Sequence, residues 1–335
     1  MILSVAAGKQ PYDVVIEGGC LSRAAELLNL NRKVLIVTDS GVPAQYANTL
    51  AAQCKKPYIL TFPQGEKSKT VETWMSLLDR MTEENFTRSD CVVAVGGGVV
   101  GDMAGFAASA FLRGIDFYNI PTTLLSQLDS SVGGKVGIDY RGYKNMVGAF
   151  YQPKKVLIDP HVLATLDSRQ IAAGAAEGVK VALTGDKELF SLFESGKALQ
   201  ETETMIYRAL AVKARVVAED ETEQGLRRVL NFGHTVGHGV ESACGFTLLH
   251  GECVALGMLP MVSPAVRERL IPVLKSLNLP LRYEGDLSAV LQAMTHDKKC
   301  AGDNITVVRC EEVGSFVFQT MPITQLIDEM RKVLL

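Results

Sequence analysis

The first half of the chain carries short, continuous runs of apolar and β-branched residues, and these constrain its fold more than any other feature. The runs are Lys33–Asp39, Pro57–Phe62, Cys91–Val95 and Val156–Asp159, and patterns typical of helices separate them. A strand that is apolar along its whole length is buried on both faces, as in parallel sheets built from βαβ units. We therefore predict a doubly wound α/β domain over residues 1–160.

The pattern changes after Pro160. Apolar residues then recur at helical spacing over Ala172–Leu183, Thr202–Glu219, Val229–Cys244 and Cys253–Leu270. Pro264 should kink or divide the last of these helices, because proline cannot donate the helical hydrogen bond. Strand patterns nearly vanish until Asn304–Val308. A mainly α-helical second domain is therefore predicted over residues 161–335.

Composition and charge exclude several classes of protein. The 335 residues carry a formal net charge of -3, which gives no general attraction for nucleic acid or an anionic membrane. No apolar run is long enough to span a bilayer, and Met1–Val5 lacks the basic region of a signal peptide. The seven cysteines are scattered without a Cys-x-x-Cys pair, which favours reduced thiols. We expect a cytoplasmic protein that binds neither nucleic acid nor membrane.

A glycine-rich loop follows the strand predicted over Cys91–Val95. Gly96, Gly98 and Gly101 have the spacing Gly-x-Gly-x-x-Gly before a plausible helix. Glycines there let backbone N–H groups approach a pyrophosphate. The alternative is a tight turn that only packs the helix, and the loop lies too far along the chain for the usual dinucleotide fingerprint. Asp39, at the end of an earlier strand, is either an acceptor for a ribose hydroxyl or a plain turn residue.

A second polar cluster spans Pro121–Lys135 and continues at Gly142–Asn145. Lys135 follows a Gly-Gly pair, and a lysine held near backbone amides commonly binds phosphate. The alternative is a flexible solvated loop, although the apolar residues within the segment argue against it.

Three of the five histidines lie close together in the second half. His234 and His238 are four residues apart and so share one face of a helix, and His250 follows. Clustered imidazoles are typical of divalent metal sites. Glu177 is the natural third ligand beside His234 and His250, because a carboxylate in an alanine-rich helix is costly to bury without a partner. Lys180 lies on the same helix face. Spacing alone leaves open that these are ordinary helix and loop histidines.

Taken in order along the chain, these motifs resemble one family. They are Gly97–Asp102, Leu112–Gly114, Pro121–Thr123, Asp129–Lys135, Lys144–Asn145, Ala176–Lys180, Asn231–His238 and His250–Glu252. The set is similar to the 3-dehydroquinate synthases of the sugar phosphate cyclase superfamily, from about residue 33 to about residue 310. Two departures are mild: Val136 stands where members often carry Thr, and Gly178 where a bulky aliphatic residue is common.

The resemblance implies a nucleotide-binding α/β domain, a helical second domain, an active site in the cleft between them, and a homodimer. It implies two cofactors, NAD and one divalent metal ion, zinc or cobalt. It also implies a sugar phosphate substrate, 3-deoxy-D-arabino-heptulosonate 7-phosphate, which is converted to 3-dehydroquinate and phosphate in the shikimate pathway.

The resemblance further assigns roles to individual residues. Glu177, His234 and His250 would hold the metal. Lys135, Asn145, Asn231 and His238 would hold the substrate phosphate, with Arg113 reaching it from the other subunit. Asp129 and Lys213 would face substrate hydroxyls, and the carboxylate end would meet Arg227, Lys180 and Lys298, with Lys299 as the alternative to Lys298. NAD would contact Asp39, Glu66, Lys69, Gly97, Gly98, Val99, Val100, Gly101, Asp102, Thr122, Thr123, Lys135, Lys144 and Thr165.

Other functions stay open at this point. A different sugar phosphate cyclase would act on a substrate without a carboxylate, which would leave Arg227, Lys213 and Lys298 without a counter-charge. A metal-dependent polyol dehydrogenase would accumulate NADH and would not need Lys135 and Asn145. A non-catalytic NAD sensor would not need the metal ligands.

Overall fold

The computed structural model describes residues 1–7, 11–245, 247–295, 300–301 and 304–335. It contains two compact units, Met1–Leu166 and Asp167–Leu335. The boundary predicted at residue 160 falls at the start of the 3₁₀ helix Pro160–Thr165, which closes the first unit.

The first unit is built on a seven-stranded sheet. Its strands are β1 (Ile2–Val5), β2 (Tyr12–Ile16), β3 (Lys33–Asp39), β4 (Lys56–Phe62), β5 (Cys91–Gly96), β6 (Asp116–Pro121) and, after the hairpin of β7 (Lys135–Tyr140) and β8 (Tyr143–Phe150), β9 (Lys155–Ile158). The order is β1-β2-β9-β6-β5-β3-β4, and every pairing is parallel except that of β1 with β2. The helices are α1 (Ala24–Leu27), α2 (Ala44–Ala51), α3 (Val71–Glu83) and α4 (Gly98–Ala110).

Both faces of the sheet centre are buried, as the apolar runs predicted. Along β3, Val34 and Ile36 pack into one core cluster, whereas Leu35 and Val37 pack into another on the opposite face. Helices cover both faces, so the doubly wound α/β prediction is confirmed. The strand at Pro57–Phe62 is instead an edge strand with mostly exposed side chains, a position that tolerates a proline.

The polar segment after β6 is more ordered than a solvated loop. A π-helix spans Ser126–Ser130, and Lys135 then opens the β7–β8 hairpin. The strand β8 is exposed or half-exposed along its whole length, so it lacks the alternation that would reveal a strand. The solvated-loop alternative is therefore wrong for Lys135 and Asn145.

The second unit is mainly helical, as predicted. Its helices are α5 (Ser168–Gly185), α6 (Lys187–Glu194), α7 (Thr202–Glu219), α8 (His234–Ala243), α9 (His250–Met258), α10 (Pro264–Ser276), α11 (Leu287–Thr295) and α12 (Ile323–Leu334). The strands β10 (Cys300–Ala301), β11 (Asn304–Arg309) and β12 (Val317–Pro322) form a small antiparallel sheet. Among the described residues, no helix is both long and apolar enough to cross a membrane.

Two predicted helices of this unit have different bounds. The helix expected over Val229–Cys244 is interrupted, because Gly233 has a left-handed backbone with φ 75° and α8 starts only at His234. The helix expected over Cys253–Leu270 is divided as Pro264 predicted. Pro264 opens α10, and the Ser263 hydroxyl before it caps the new helix by accepting from the Val266 N–H.

Candidate metal and nucleotide sites

The carboxyl edge of the parallel sheet gathers most of the predicted NAD residues of the first unit. The chain passes from β3 to β4 on one side and then to β5 on the other, so the strand order reverses at β3. Ligands of doubly wound sheets bind in the crevice at such a reversal, outside the carboxyl ends of the strands. Asp39 ends β3, Gly96 ends β5, and Thr122 and Thr123 follow β6 at this same edge.

The glycine loop packs closely at this edge. The helix α4 begins at Gly98, so Gly97 to Asp102, including Val99 and Val100, form the turn into the helix and its first residues. A Cβ on Gly97 would lie 3.1 Å from Thr123 Cγ2, and one on Gly101 would lie 3.2 Å from Asn119 Nδ2. The first N–H groups of a helix have no partner within it, and they suit a pyrophosphate.

Lys69 connects this carboxyl edge of the sheet, which we call the nucleotide edge after the NAD predicted there, to the β7–β8 hairpin. Its side chain is buried, its Nζ lies 2.6 Å from Asp102 Oδ2, and it also donates to Asn145 Oδ1. The Asn145 N–H donates to Asp139 Oδ1 at 2.8 Å, which fixes the residue in a left-handed backbone with φ 53°. Burial lowers the pKa of Lys69, but Asp102 and Glu66 outweigh it, so the pKa is raised and the amine stays charged.

The other predicted residues of the first unit lie in different places. Lys135 and Lys144 are exposed on the hairpin, Asp129 lies on the π-helix, and the Thr165 hydroxyl is 2.9 Å from that of Tyr46. Arg113 is exposed with φ 69° in the turn that follows α4. That helix has 13 residues and is therefore about 20 Å long, so Arg113 lies far from the glycine loop of its own chain.

Three helices of the second unit meet backbone to backbone. A Cβ on Gly251 of α9 would lie 1.9 Å from the Ala173 carbonyl oxygen of α5. A Cβ on Gly257 of α9 would lie 1.9 Å from the Gly233 carbonyl oxygen, just before α8. Only glycine permits this approach. We call this arrangement the glycine crossing.

The glycine crossing brings the predicted metal ligands together. His250 Nε2 lies 3.4 Å and His234 Nε2 3.7 Å from Glu177 Oε1, and Lys180 Nζ lies 2.6 Å from Glu177 Oε2. These cationic and polar groups surround the carboxylate, yet among the described residues neither of its oxygens accepts a hydrogen bond of normal geometry. Glu177 is only 1% exposed. A buried carboxylate in this condition, faced by two imidazoles, fits a bound cation.

Protonation states at the crossing also suit a metal. Burial raises the pKa of Glu177, but Lys180 and His234 outweigh it and hold the pKa well below its usual range. Burial holds the pKa of His234 well below its usual value. Burial also lowers the pKa of His250, but Glu177 and Glu241 outweigh it and raise that pKa to about 9. An ionised carboxylate and a neutral imidazole are ready ligands, and metal binding would displace the proton from His250.

His238, which was assigned to the phosphate, lies with the metal histidines. Its ring centroid is 5.2 Å from that of His234 and 5.7 Å from that of His250, and its side chain is exposed. One ring nitrogen from each histidine lies within 4.8 Å of the others. His238 therefore borders the predicted metal site from its solvent side.

The loop after α7 carries the remaining predicted residues of this unit. Arg227 is buried, and its guanidinium donates to the Glu221 carbonyl oxygen. Asn231 Nδ2 donates to Glu223 Oε1 at 2.6 Å. The Asp220 carboxylate accepts from the N–H groups of Gln224, Gly225 and Arg227, and so fixes the loop. Lys213 is buried on α7, whereas Lys298 and Lys299 lie outside the described residues.

Two buried carboxylates near the crossing had no role predicted from the sequence. Glu241 Oε2 lies 3.3 Å from His250 Nδ1, and Glu252 pairs with Arg169 at 2.6 Å. Glu241 follows His234 by seven residues and His238 by three, so all three share one helix face. That spacing was the available signal for Glu241.

Comparisons with known proteins point to one family. The family described as the N-terminal part of 3-dehydroquinate synthase matches residues 59–173, and its C-terminal part matches residues 174–300. A 3-dehydroquinate synthase of Streptococcus sanguinis (strain SK36) is 40% identical over 355 aligned positions, which cover 99% of this chain and 100% of that protein.

Two solved structures share the fold along nearly the whole chain. One is 2-deoxy-scyllo-inosose synthase with carbaglucose-6-phosphate, NAD+ and Co2+, which has a TM-score of 0.89, 26% identity and full coverage of both chains. The other is 2-epi-5-epi-valiolone synthase from Streptomyces hygroscopicus subsp. jinggangensis 5008 with NAD+ and Zn2+. It has a TM-score of 0.88 and 30% identity, and the match covers 98% of this chain and 97% of that one.

Proposed function

The chain belongs to the 3-dehydroquinate synthase family, and from this premise we propose how its residues divide the work of the reaction. The reaction converts 3-deoxy-D-arabino-heptulosonate 7-phosphate into 3-dehydroquinate and inorganic phosphate, a step of the shikimate pathway. It uses NAD and a divalent metal without net oxidation, and it is a carbon–oxygen lyase reaction.

Each unit would hold one cofactor. The carboxyl edge of the first unit would bind NAD through the glycine loop, Asp39 and the Lys69–Asp102 pair. Glu177, His234 and His250 of the second unit would bind zinc or cobalt. When bound, NAD accepts and returns a hydride, and the metal polarises the hydroxyl that is oxidised. The observation that carries this assignment is the buried Glu177 carboxylate, which faces two Nε2 atoms and, within the part of the chain that the structure describes, accepts no hydrogen bond of normal geometry.

Lys135 and Asn145 of the first unit, and Asn231 and His238 of the second, would donate to the substrate phosphate. Donors directed at a leaving group stabilise the negative charge that develops on it. Asn145 suits this role because Lys69 and Asp139 fix its side chain and backbone. The departing phosphate would itself take the proton from the substrate carbon, so none of these residues would need to act as the base.

Arg227, Lys180 and Lys298 would bind the substrate carboxylate, and Asp129 and Lys213 would face its hydroxyls. Arg227 suits the carboxylate because its guanidinium is buried and held by the Glu221 carbonyl oxygen before substrate arrives. A site with this group discriminates against sugar phosphates without a carboxylate, as expected of a 3-dehydroquinate synthase.

We also propose a cytoplasmic homodimer. The exposed Arg113, displaced from the glycine loop of its own chain, would reach the phosphate bound by the second subunit. Light scattering of the purified protein should give twice the mass of one chain. Mixed dimers of Arg113→Ala and Lys135→Ala subunits should regain activity that neither variant shows alone, and mixtures that stay inactive would contradict the shared site.

A two-signal assay tests the reaction itself. Purified protein would be mixed with NAD+, Co2+ and the heptulosonate phosphate, and inorganic phosphate and NADH absorbance would be followed together. We expect many phosphates per chain without NADH accumulation, because NAD is regenerated in each turnover. NADH accumulation without phosphate would instead identify a polyol dehydrogenase. Phosphate release from a carboxylate-free sugar phosphate alone would identify another cyclase.

A further inference from the structure

Glu241 contacts a predicted metal ligand from behind. It lies on α8, is only 8% exposed, and its Oε2 is 3.3 Å from His250 Nδ1. The opposite nitrogen of the same ring, Nε2, is the one that faces Glu177 Oε1 at 3.4 Å. One carboxylate therefore meets each nitrogen of the His250 ring.

A neutral imidazole carries its proton on one nitrogen and a lone pair on the other. If Nδ1 donates to Glu241, the lone pair of His250 is on Nε2 and points toward Glu177. His234 is oriented in the same sense, but by the backbone, since its Nδ1 lies 3.1 Å from the Phe232 carbonyl oxygen. The two rings thus present the same nitrogen, one held by a peptide group and the other by a side chain.

We propose that Glu241 is a positioning residue for the metal site, which fixes the ring of His250 and its tautomer and increases the basicity of its Nε2. This inference rests on the proposed metal function of Glu177, His234 and His250. Carboxylates that accept from a metal-bound histidine typically contribute 10- to 100-fold to metal affinity or activity. The peptide group that holds His234 cannot be removed by a side-chain substitution. Of the two groups that orient the histidine rings, only Glu241 can therefore be tested by mutation.

Cobalt affinity tests the proposal without recourse to turnover. The native protein, Glu241→Ala and Glu241→Gln would be titrated with Co2+ against a chelating dye. We expect Glu241→Ala to bind Co2+ about 10- to 100-fold more weakly. Glu241→Gln should lose less Co2+ affinity, because its amide oxygen can still accept from Nδ1. It should not bind as tightly as the native protein, because the amide carries no charge. At saturating Co2+, the turnover of Glu241→Gln should recover toward that of the native protein.

Glu252→Gln is the matched control. It removes another buried carboxylate on the helix that begins at His250, one that pairs with Arg169. Native Co2+ affinity in Glu241→Ala would overturn the proposal, because Glu241 would then make no contribution. An equal loss of affinity in Glu252→Gln and Glu241→Gln would also overturn it, because the loss would then reflect disturbance of the α9 region and not the contact with His250. Should Glu241→Ala fail to fold, Glu241→Gln carries the test alone. If the native protein itself fails to bind Co2+, the proposed metal function fails instead.

Discussion

The nucleotide edge of the first unit and the glycine crossing of the second both gather chemically active groups, but with different parts of the chain. At the nucleotide edge, backbone N–H groups and strand ends supply the site, and parallel pairing brings them to one edge automatically. At the crossing, side chains supply the site: Glu177 of α5 comes from a distant part of the chain, and His234 of α8 and His250 of α9 from two helices that follow one another. The first site follows from local pattern, whereas the second depends on tertiary contacts between backbones.

The largest effect is expected from adding a methyl group where the helices touch at the glycine crossing. In Gly257→Ala, the new methyl group would lie 1.9 Å from the Gly233 carbonyl oxygen, so the helices must separate. We expect the free energy of unfolding to fall by about 3 kcal/mol or more, with loss of Co2+ binding. Thermal denaturation and Co2+ titration measure both. In the control Gly41→Ala, the methyl group meets only the end of the Gln64 side chain, which can move. A Gly257→Ala protein as stable as the Gly41→Ala control would disprove the close contact.

Removing a ligand should abolish chemistry while leaving the helices in place. We expect His250→Ala to lose bound metal and to reduce kcat on the order of 1,000-fold, since a Lewis-acid metal contributes several kcal/mol. Metal content by elemental analysis, circular dichroism and phosphate release would be compared with His161→Ala, an exposed histidine of the first unit. Stoichiometric metal with full turnover in His250→Ala would refute the ligand assignment.

Arg227→Ala tests whether the second unit recognises the substrate carboxylate. Losing a charge-assisted contact with the carboxylate should reduce kcat/KM about 10- to 100-fold, because such hydrogen bonds contribute about 1.5–3 kcal/mol. The exposed neighbour Arg228 gives the control Arg228→Ala, which should behave as the native protein. Steady-state kinetics decide between them, and equal values for both variants would remove Arg227 from the carboxylate site.

Asp39→Ala asks whether the nucleotide edge acts independently of the crossing. We expect NAD+ to bind about 10-fold more weakly, as for the loss of one hydrogen bond from a carboxylate. Calorimetric titration with NAD+ and a separate Co2+ titration would be run beside Asp79→Ala, an exposed residue of α3. A fall in Co2+ affinity, with NAD+ affinity unchanged, would reverse the assignment of the two sites.

The smallest effect concerns pH and the loop that holds Arg227. Hydrogen bonds from the N–H groups of Arg227, Gly225 and Gln224 lower the pKa of Asp220 from its ordinary value of 3.8. A group with a lowered folded pKa stabilises the fold above its unfolded pKa, and this stability is lost as pH falls through the folded pKa. The melting temperature of the native protein should therefore fall more steeply below about pH 4 than that of Asp220→Asn. Parallel curves would show that the carboxylate makes no such contribution.

The sequence pattern predicted those elements whose burial or capping is visible in their own residues. Full burial of β3 and β5 left continuous apolar runs, and Pro264 marked the start of α10 because proline suits the first turn of a helix. The pattern failed where the structure depends on other contacts. The strand β8 has no buried face to produce alternation, although β7 beside it buries Val136 and Ile138. Gly233 ends a helical pattern because α9 packs against it.

The candidate site divides in the same way. The histidine spacing placed His234 and His238 on one helix face, and the structure brings Glu177 and His250 to them. Their assignment as ligands stays a prediction until metal is measured. The contact of Glu241 with His250 was beyond reach, because it depends on the distance between α8 and α9, which the glycine crossing sets.

The glycine crossing also bears on how this scaffold can acquire new substrates. Because Gly251 and Gly257 leave no room for a side chain, mutation cannot adjust the helix spacing gradually, and we expect variants there to lose the predicted ligand set as a whole. The loop anchored by Asp220 has no such restriction, since its exposed residues can change while its carboxylate keeps the backbone in place. Directed evolution toward other sugar phosphates should therefore randomise the exposed side chains of this loop, Thr222, Gln224 and Arg228, and leave α9 unchanged.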